Sequence, residues 1–443
     1  MFKKMILVRM CFMLVLCFYV ALSFADEIVL NNGVTKPYEI SVLKYGAVGD
    51  GVTDDTVALQ HAFKKCSNFG YVCKIPNGKT FLITKPLFLW GKSSLVGEAG
   101  AGGGIIEFRV LDAPYLLNIG ISGKNKIEKP FSGVISGVNF KVSGGKEGRI
   151  LFFWRTQGAI ISKNIFDVGV FRYSATSSGN VNGWLKHVNL YVRKNIIIKG
   201  NKIFATSDYL GSEGIGLGDF DGAVISHNTI TGVGDDPIGI HYSKNIKIEN
   251  NLMTSVDGRL YVSNSVNVEI IGNDVRRIAS ISNNKYYKGI ALIYVGFELF
   301  NIDNSFSAPT NISVINNYLY YPSGSIDAGS GIYVYAPRHV QVVRNKIVND
   351  SDKVIASAIH LLPAIFSARW KDPDGLDGPG VARVHNVMII GNTASGAFPQ
   401  RIKMTGQCVD YVGEILIRDN LAEEYQLYCP KVHLSGNKKH NAL

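Results

Sequence analysis

Several carboxylates fall at matching places in a repeated sequence pattern and are the first candidates for chemistry. Each precedes a short apolar strand pattern, and they are Glu213, Asp235, Asp236 and Asp257. Glu213 and Asp236 are separated by as many residues as Asn228 and Asn251, which mark the repeat. Carboxylates on stacked strands, about 4.8 Å apart, favour one protonated and one ionised group, which glycosidic hydrolysis needs. The alternative for the acidic pair before Pro237 is a turn.

Basic and aromatic residues near the same strands allow a second chemistry, β-elimination or C5 epimerisation of a uronate. Both reactions need a cation to neutralise the carboxylate and a base to remove the C5 proton. In that case Asp235, Asp236 and Asp257 could hold Ca²⁺ through oxygen ligands, whereas hydrolysis requires no cofactor. The side chains suited to binding substrate are Arg259, Lys288, Tyr261, Tyr287 and His241. A hydrogen-bonded structural histidine is the alternative for His241.

An asparagine recurs in a repeating phrase and predicts the elements that position these groups. Its members are Asn201, Asn228, Asn251, Asn273, Asn317, Asn345, Asn392 and Asn420. Intervals of about 22 residues or more are typical of short strands stacked into a solenoid with loops of varied length. Apolar and polar residues alternate before each asparagine, as in a strand with one buried face. The pattern predicts an all-β parallel β-helix whose amides are hydrogen bonded from rung to rung.

A second asparagine often opens the strand of the repeat. The examples are Asn195, Asn245, Asn267, Asn311 and Asn386. Asparagine tolerates the left-handed backbone conformation that a sharp corner needs. We expect both sets of asparagines to be structural and assign neither to catalysis.

The amino terminus has the pattern of a secretory signal over residues 1–25. Lys3, Lys4 and Arg9 precede an apolar run at 10–22 that is shorter than the ~20 residues needed to span a bilayer. We expect cleavage after Ala25, a secreted or periplasmic protein and no membrane association afterwards. Residues 26–443 are then one domain, with a cap at about 38–100 and rungs at about 101–437.

Charge and cysteine content indicate which partners and which cellular compartment to expect. The formal net charge of +11 falls to about +8 without the signal, which favours a polyanion. For an exported protein we expect an acidic polysaccharide rather than nucleic acid, with surface charge that has no partner as the alternative. The remaining cysteines are Cys66, Cys73, Cys408 and Cys429. Proximity suggests pairing the first two and the last two, one of three possible pairings, with four free thiols as the alternative.

Residues 45–98 carry the most specific motifs. A helix start is predicted at residues 53–56, with Val57, Leu59 and Phe63 to bury. The strings Tyr-Gly-Ala-Val-Gly-Asp-Gly-Val-Thr-Asp-Asp-Thr-Val-Ala-Leu at 45–59, Ile-Pro-Asn-Gly at 75–78 and Leu-Val-Gly-Glu at 95–98 resemble the pectate-lyase-like superfamily, which contains polygalacturonases, rhamnogalacturonases, epimerases and phage tailspikes. The resemblance implies a right-handed parallel β-helix with a capped amino end and a carbohydrate-related activity. It does not choose among hydrolase, lyase, epimerase and binder.

The resemblance also implies roles for individual residues. Polygalacturonase-like hydrolases carry an aspartate on one rung, an aspartate pair on the next and a histidine on a third. Asp235-Asp236 matches the pair, Glu213 stands near the place of the first aspartate, and Lys288 falls near a lysine that binds a substrate carboxylate. Asp257 departs from the pattern, because it occupies the place of the histidine.

These observations predict a glycoside hydrolase whose groove is walled by long excursions between rungs, at 172–186, 276–288, 296–309 and 365–383. We expect Asp236 to be the general acid, Asp235 and Glu213 to activate water, and Lys288 with Arg259 to bind acidic groups of the substrate. A polysaccharide lyase, a C5-epimerase and a non-catalytic glycan-binding surface protein are the alternatives. The oligomeric state is not indicated.

Overall fold

Parallel β-strands make up most of the regular structure of this chain. The computed structural model describes residues 37–110, 113–123, 126–145, 147–169, 172–178, 193–205, 213–234, 236–255, 258–277, 291–296, 308–324, 329–351, 357–365, 381–396, 398, 401–405, 411–420, 425–426 and 432–437. Residues 39–443 form one unit, and only residues 37 and 38 of the unit before it are described. The predicted signal at 1–25 lies outside the described residues.

The described strands form three long parallel sheets, called A, B and C here. Sheet A contains Glu39–Ser41, Val72–Lys74, Ser94–Val96, Val134–Ser136, Thr156–Gln157, Ile160–Ser162, Arg193–Lys199, Asp221–Ser226, Lys244–Glu249, Val266–Ile271, Thr310–Ile315, Arg338–Val343, Val384–Ile390, Tyr411–Arg418 and Val432–Ser435. Sheet B contains Asp50–Asp54, Thr80–Ile83, Ile105–Phe108, Asn139–Val142, Ile165–Gly169, Lys202–Ala205, Thr229–Val233, Leu252–Ser255, Asp274–Arg277, Tyr318–Tyr321, Lys346–Asn349 and Thr393–Gly396. Sheet C contains Leu87–Leu89, Tyr115–Ile119, Glu147–Phe153, Arg172–Ser178, Ile215–Gly218, Ile238–His241, Leu260–Ser263, Ala291–Gly296, Ser330–Tyr335, Ser357–Leu362, Ile402–Met404 and Tyr425–Gln426.

Two short antiparallel pairs lie outside these sheets. They are Ile121–Gly123 with Lys126–Ile127 and Ala364–Ile365 with Val381–Ala382. The second pair opens and closes the long excursion predicted at 365–383, most of which lies outside the described residues. The excursion predicted to begin at Arg172 begins later, because Arg172–Ser178 is a strand of sheet C.

One rung consists of one strand from each sheet. Lys244–Glu249, Leu252–Ser255 and Leu260–Ser263 follow one another, and Val266–Ile271 then returns to sheet A beside the first strand. The chain therefore advances by one strand spacing per circuit, about 4.8 Å. The predicted parallel β-helix is confirmed. Strands of all three sheets already occur before residue 101.

The core lies inside the three sheets because alternate residues of each strand point inward. In Lys244–Glu249 the buried residues are Ile246 and Ile248. Ile248 is in register with Ile225 on one side and with Ile270 on the other, so apolar side chains stack from rung to rung. Full burial stabilises each such side chain by roughly 1.5–3 kcal/mol.

A buried asparagine ladder occupies the corner between sheets A and B. Its members are Asn164, Asn201, Asn228, Asn251, Asn273, Asn317, Asn345, Asn392, Asn420 and Asn437. At each step the backbone N–H and the side-chain Nδ2 of one asparagine donate to Oδ1 of the next, at 2.9 to 3.2 Å. The ladder thus satisfies polar groups at a buried corner, where an unpaired group is costly.

The left-handed residue of this corner is not the ladder asparagine but the residue before it. Asn250 has φ +54°, and Gly272, one rung later, has φ +63°. The asparagines that open the strands of sheet A are themselves left-handed, with φ +59° at Asn245 and +56° at Asn267 and Asn311. The left-handed asparagines are therefore those that open the strands of sheet A and those that precede a ladder member, such as Asn250.

The helix expected near residue 53 runs from Thr56 to Phe69 and packs against the first strands. Leu59, Phe63 and Cys66 form its buried face, as their spacing on one side of a helix requires. Val57 was expected to be buried but is 65% exposed, because it lies outside that face. Cys66 and Cys73 form a disulfide bond with Cα atoms 6.0 Å apart. Cys408 and Cys429 lie outside the described residues.

The acidic residues before this helix hold the local backbone and side chains together. Asp55 is buried and accepts hydrogen bonds from the backbone N–H groups of Val48 and Gly49. Burial alone would raise the pKa of Asp54, but hydrogen bonds from Thr56 and Thr84 lower it. The motif at 45–59 therefore folds a tight loop onto the helix start.

Candidate functional site

The outer face of sheet C has a gap in its column of side chains. The central residues of successive strands are in register, and Gly216 and Gly239 are followed by Tyr261. A Cβ built on Gly239 would lie 3.2 Å from His241 Nε2 and 3.4 Å from Glu213 Oε1. The glycine therefore leaves the space into which the acidic and imidazole side chains reach.

Glu213 enters this gap from the loop before the strand Ile215–Gly218. The backbone N–H of Gly214 donates to the carbonyl of Asp236 at 3.0 Å, which fixes the loop to the next rung. A Cβ on Gly214 would lie 2.5 Å from the Pro237 carbonyl oxygen, so a larger residue does not fit there. The side chain of Glu213 is 23% exposed, which leaves its carboxylate accessible to a ligand.

His241 ends the strand Ile238–His241 and stands beside Glu213. Its Nε2 lies 3.7 Å from Glu213 Oε1, and its Nδ1 lies 3.0 Å from the hydroxyl oxygen of Ser263 on the next strand. The ring centroid is 5.2 Å from that of Tyr261. Ser263 therefore orients the imidazole, and Nε2 faces the carboxylate.

Asp236 and Arg259 form a pair at the edge of the same cluster. Asp236 Oδ1 lies 3.4 Å from both the backbone nitrogen and Nε of Arg259, and the aspartate side chain is 8% exposed. The guanidinium carbon of Arg259 lies 4.5 Å from the Tyr261 ring centroid and 5.0 Å from that of Tyr294. Such cation–π contacts and the nearby carboxylate hold the guanidinium in place. Asp236 is thus buried against a cation, which differs from the setting expected of a general acid.

An aromatic stack continues from the gap along the outer face of sheet C. Tyr261 stacks on Tyr294 at 4.7 Å, and Tyr294 stacks on Tyr333 at 5.6 Å. His360 meets the edge of this stack, with its centroid 5.1 Å from that of Tyr333. Burial, and then the charge of Lys403 on the next strand, lowers the pKa of His360 to about 4. The imidazole of His360 is therefore neutral at neutral pH.

A buried arginine anchors the other end of the site. Arg193 Nη1 donates to the carbonyl of Gly218 at 3.1 Å and lies 3.6 Å from Asp219 Oδ2. Its side chain is fully buried. Because Gly218 ends the strand beside His241, this contact fixes the strand end that borders the cluster.

The structure brings together Glu213, Asp236, Arg259, His241 and Tyr261 among the predicted site residues. Asp235, Asp257, Lys288 and Tyr287 lie outside the described residues, and their roles stay predictions. Sequence reasoning missed Gly239, Ser263 and Tyr294. Aligning the strands of sheet C one rung further would have found Tyr294, but the long insertion before it hides the repeat.

Metal ligation finds no support among the side chains whose placement is described: no three His, Cys, Asp or Glu residues there are grouped to hold an ion. Of the three aspartates considered as Ca²⁺ ligands, Asp236 alone is described, and it binds Arg259. In the same described part of the chain, no helix is long and apolar enough to cross a membrane.

Comparisons with known proteins agree with this architecture. Residues 186–361 match the family described as "Right handed beta helix region". The mannuronan C-5 epimerase AlgE4 A-module of Azotobacter vinelandii is 17% identical, with a TM-score of 0.55 over 89% of this chain and 100% of that one. The surface protein and adhesin PfbA of Streptococcus pneumoniae is 16% identical, with a TM-score of 0.56 over 90% of this chain and 100% of that one. The predicted resemblance to right-handed parallel β-helix proteins is confirmed.

An exopolygalacturonase of Zea mays is similar in sequence. It is 29% identical over 214 residues, which are 45% of this chain. The match covers 48% of the maize protein, so the chain spans about half the length of this relative. The similarity therefore concerns part of each protein.

Proposed function

We propose that the protein is an enzyme that cleaves glycosidic bonds of an acidic polysaccharide, with Glu213 as a catalytic carboxylate. The observation that carries the proposal is the meeting of Glu213 and His241 in the space left by Gly239. The net charge of about +8 without the signal and the similarity to a plant exopolygalacturonase support an acidic substrate.

In this proposal the two described acids of the site have different tasks. Glu213 is accessible and has an imidazole 3.7 Å away, so it can exchange a proton with a glycosidic oxygen placed in the gap. Asp236 is buried against Arg259 and acts as a positioning residue for that cation. Arg259 then faces the acidic group of the substrate. Asp235 remains the proposed second carboxylate, which activates water.

A second chemistry is favoured by one specific observation, the presence of His241 and Arg259 in the same cluster. An arginine that neutralises a uronate carboxylate and a histidine that removes the C5 proton are the parts needed for β-elimination or epimerisation. In this alternative Glu213 orients His241 and does not contact the scissile bond.

The test is an assay of the purified protein on polygalacturonate and on mannuronan, with and without Ca²⁺. New reducing ends, unsaturated uronate and exchange of the C5 proton are measured in parallel. We expect reducing ends without unsaturated product, and a fall in kcat of about 100-fold or more in Glu213→Gln. The matched control is Glu249→Gln on sheet A, whose side chain is 24% exposed, close to the 23% of Glu213.

The results of this assay distinguish a hydrolase from a lyase, an epimerase and a glycan-binding protein. If unsaturated product forms with the wild type and is lost in His241→Gln, the reaction is elimination and not hydrolysis. Exchange at C5 without cleavage indicates an epimerase. Full activity in Glu213→Gln removes this residue from catalysis. Binding of the polymer with no reaction of any kind makes the protein a glycan-binding protein.

A further inference from the structure

A cleft of about 610 Å³ lies between the helix Thr56–Phe69 and the first strand of sheet C, Leu87–Leu89. Gln60 joins its two walls with a pair of hydrogen bonds. Its Nε2 donates to the carbonyl of Phe88 at 3.2 Å, and the Phe88 N–H donates to Oε1 at 2.9 Å. The volume is in the range of sites that take small ligands. The hydrogen bonds make the cleft a fixed feature of the fold.

The ionisable groups that line the cleft are mostly basic. Among the described residues that line it, Lys64, Lys85 and His61 are basic and Glu128 is acidic. Lys85 also interacts with Asp54, which lies outside the lining. Glu128 already has a partner, because its Oε1 accepts a hydrogen bond from the hydroxyl of Ser122 at 2.6 Å. Both lysines are exposed. The charge balance favours a ligand that carries carboxylate or another anionic group.

Apolar surface accompanies these cations. The half-buried ring of Phe88 lines the cleft together with Trp90. Val57, which is exposed although apolar, lies on the helix side. Flat aromatic rings next to lysines suit a pyranose, which has an apolar face of C–H groups and, when it is a uronate, a carboxylate at its edge.

The cleft is aligned with the Glu213 cluster. Phe88 begins the same outer column of sheet C that contains Gly239, and the register runs through Asn118, Phe152, Ser177 and Gly216. Five strand steps separate Phe88 from Gly239, which corresponds to about 24 Å at 4.8 Å per step. That distance is several sugar residues of an extended polymer.

We propose that this cleft is a second binding site for an acidic oligosaccharide, separate from the Glu213 cluster and in line with it. Lys64 and Lys85 bind the carboxylates, and Phe88 packs against a sugar ring. The choice of uronate as the ligand class rests on the proposed function, whereas the site itself rests on the charges and shape of the cleft. A polymer held there extends along sheet C towards Glu213.

Calorimetric titration of trigalacturonate tests the proposal, with the Glu213→Gln protein used to prevent turnover. We expect the double variant Lys64→Gln/Lys85→Gln either to lose binding of trigalacturonate at the cleft or to bind it there at least about tenfold more weakly. The control pair is Lys44→Gln/Lys74→Gln, which removes the same charge from exposed positions outside the cleft. Trigalacturonate methyl ester, which has the same rings without charge, should bind at least tenfold more weakly to the parent protein.

Three results overturn the inference: no saturable binding of trigalacturonate, equal loss in both lysine pairs, or equal binding of the methyl ester. The titration does not depend on turnover. A protein that binds trigalacturonate through Lys64 and Lys85 but cleaves no polymer therefore keeps the second site and refutes the proposed enzymatic function. Unchanged melting temperatures establish that the lysine variants are folded.

Discussion

The asparagine ladder and the outer face of sheet C are built by opposite rules. In the ladder the same residue repeats on every rung, and each amide is satisfied by the one beside it. On the outer face of sheet C the residue changes along the column, from Gly216 and Gly239 to Tyr261, Tyr294 and Tyr333. The repeated asparagine stabilises the β-helix. On sheet C, the change from glycine to tyrosine along the column leaves a space that ionisable groups enter. Stability and chemistry should therefore respond to different substitutions.

The largest expected effect comes from breaking the ladder with Asn251→Ala. Its Oδ1 accepts from the N–H and Nδ2 of Asn228, and its Nδ2 donates to the carbonyl of Ile225 and to Oδ1 of Asn273. We expect a loss of about 3 kcal/mol in the free energy of unfolding, because buried polar groups lose their partners. Denaturant melts measure it. Activity per folded molecule should stay unchanged, and its loss would contradict the separation of asparagine ladder and candidate site.

Gly239→Ala is the opposite test, because it changes the candidate site and leaves the asparagine ladder intact. The added Cβ displaces the His241 ring and the Glu213 carboxylate by a few tenths of an ångström. We expect kcat/KM on the substrate identified above to fall about tenfold, since catalytic groups tolerate little misplacement. The melting temperature should change little. A large loss of stability with normal kinetics would show that Gly239 serves packing instead.

A smaller effect is expected from the pH dependence of stability at His360. Its pKa is about 4 in the folded protein and about 6.5 when unfolded, so the unfolded state binds more protons between these values. The free energy of unfolding should thus fall as pH drops from about 6.5 to about 4. Because the ring is partly exposed, we expect about 1 kcal/mol. Melts of the wild type and His360→Gln across this range should differ in slope, and parallel curves would contradict the burial of this ring.

The smallest expected effect distinguishes the two sets of asparagines. Asn267 is exposed and left-handed, and among the described residues its side chain bonds to Asn245 and Asn311. Asn267→Gly should therefore change stability by less than about 0.5 kcal/mol, whereas Asn267→Ala should cost about 1 kcal/mol more because of its φ of +56°. Equal losses in the two variants would show that the side-chain contacts, and not the backbone, determine the choice of asparagine.

The fold was predictable from the sequence because the ladder is periodic and each rung repeats the same local solution. The equal spacing of Glu213 and Asp236 with the ladder asparagines also predicted that these acids lie on neighbouring rungs. Their environments were not predictable, because Asp236 is buried against the backbone nitrogen and the side chain of Arg259, which the spacing does not indicate. The spacing along the sequence predicts on which rung a side chain lies. Its interaction partner depends on tertiary contacts that the spacing does not show.

The ladder has a consequence for how such a protein diversifies. Asn251 and Asn273 are 22 residues apart and Asn345 and Asn392 are 47 apart, yet the amides meet at 2.9 and 3.0 Å. A lineage can therefore lengthen the chain between two rungs without disturbing the register of either. New surface can arise by insertion while the inherited scaffold stays constant, so specificity and architecture are free to evolve at different rates.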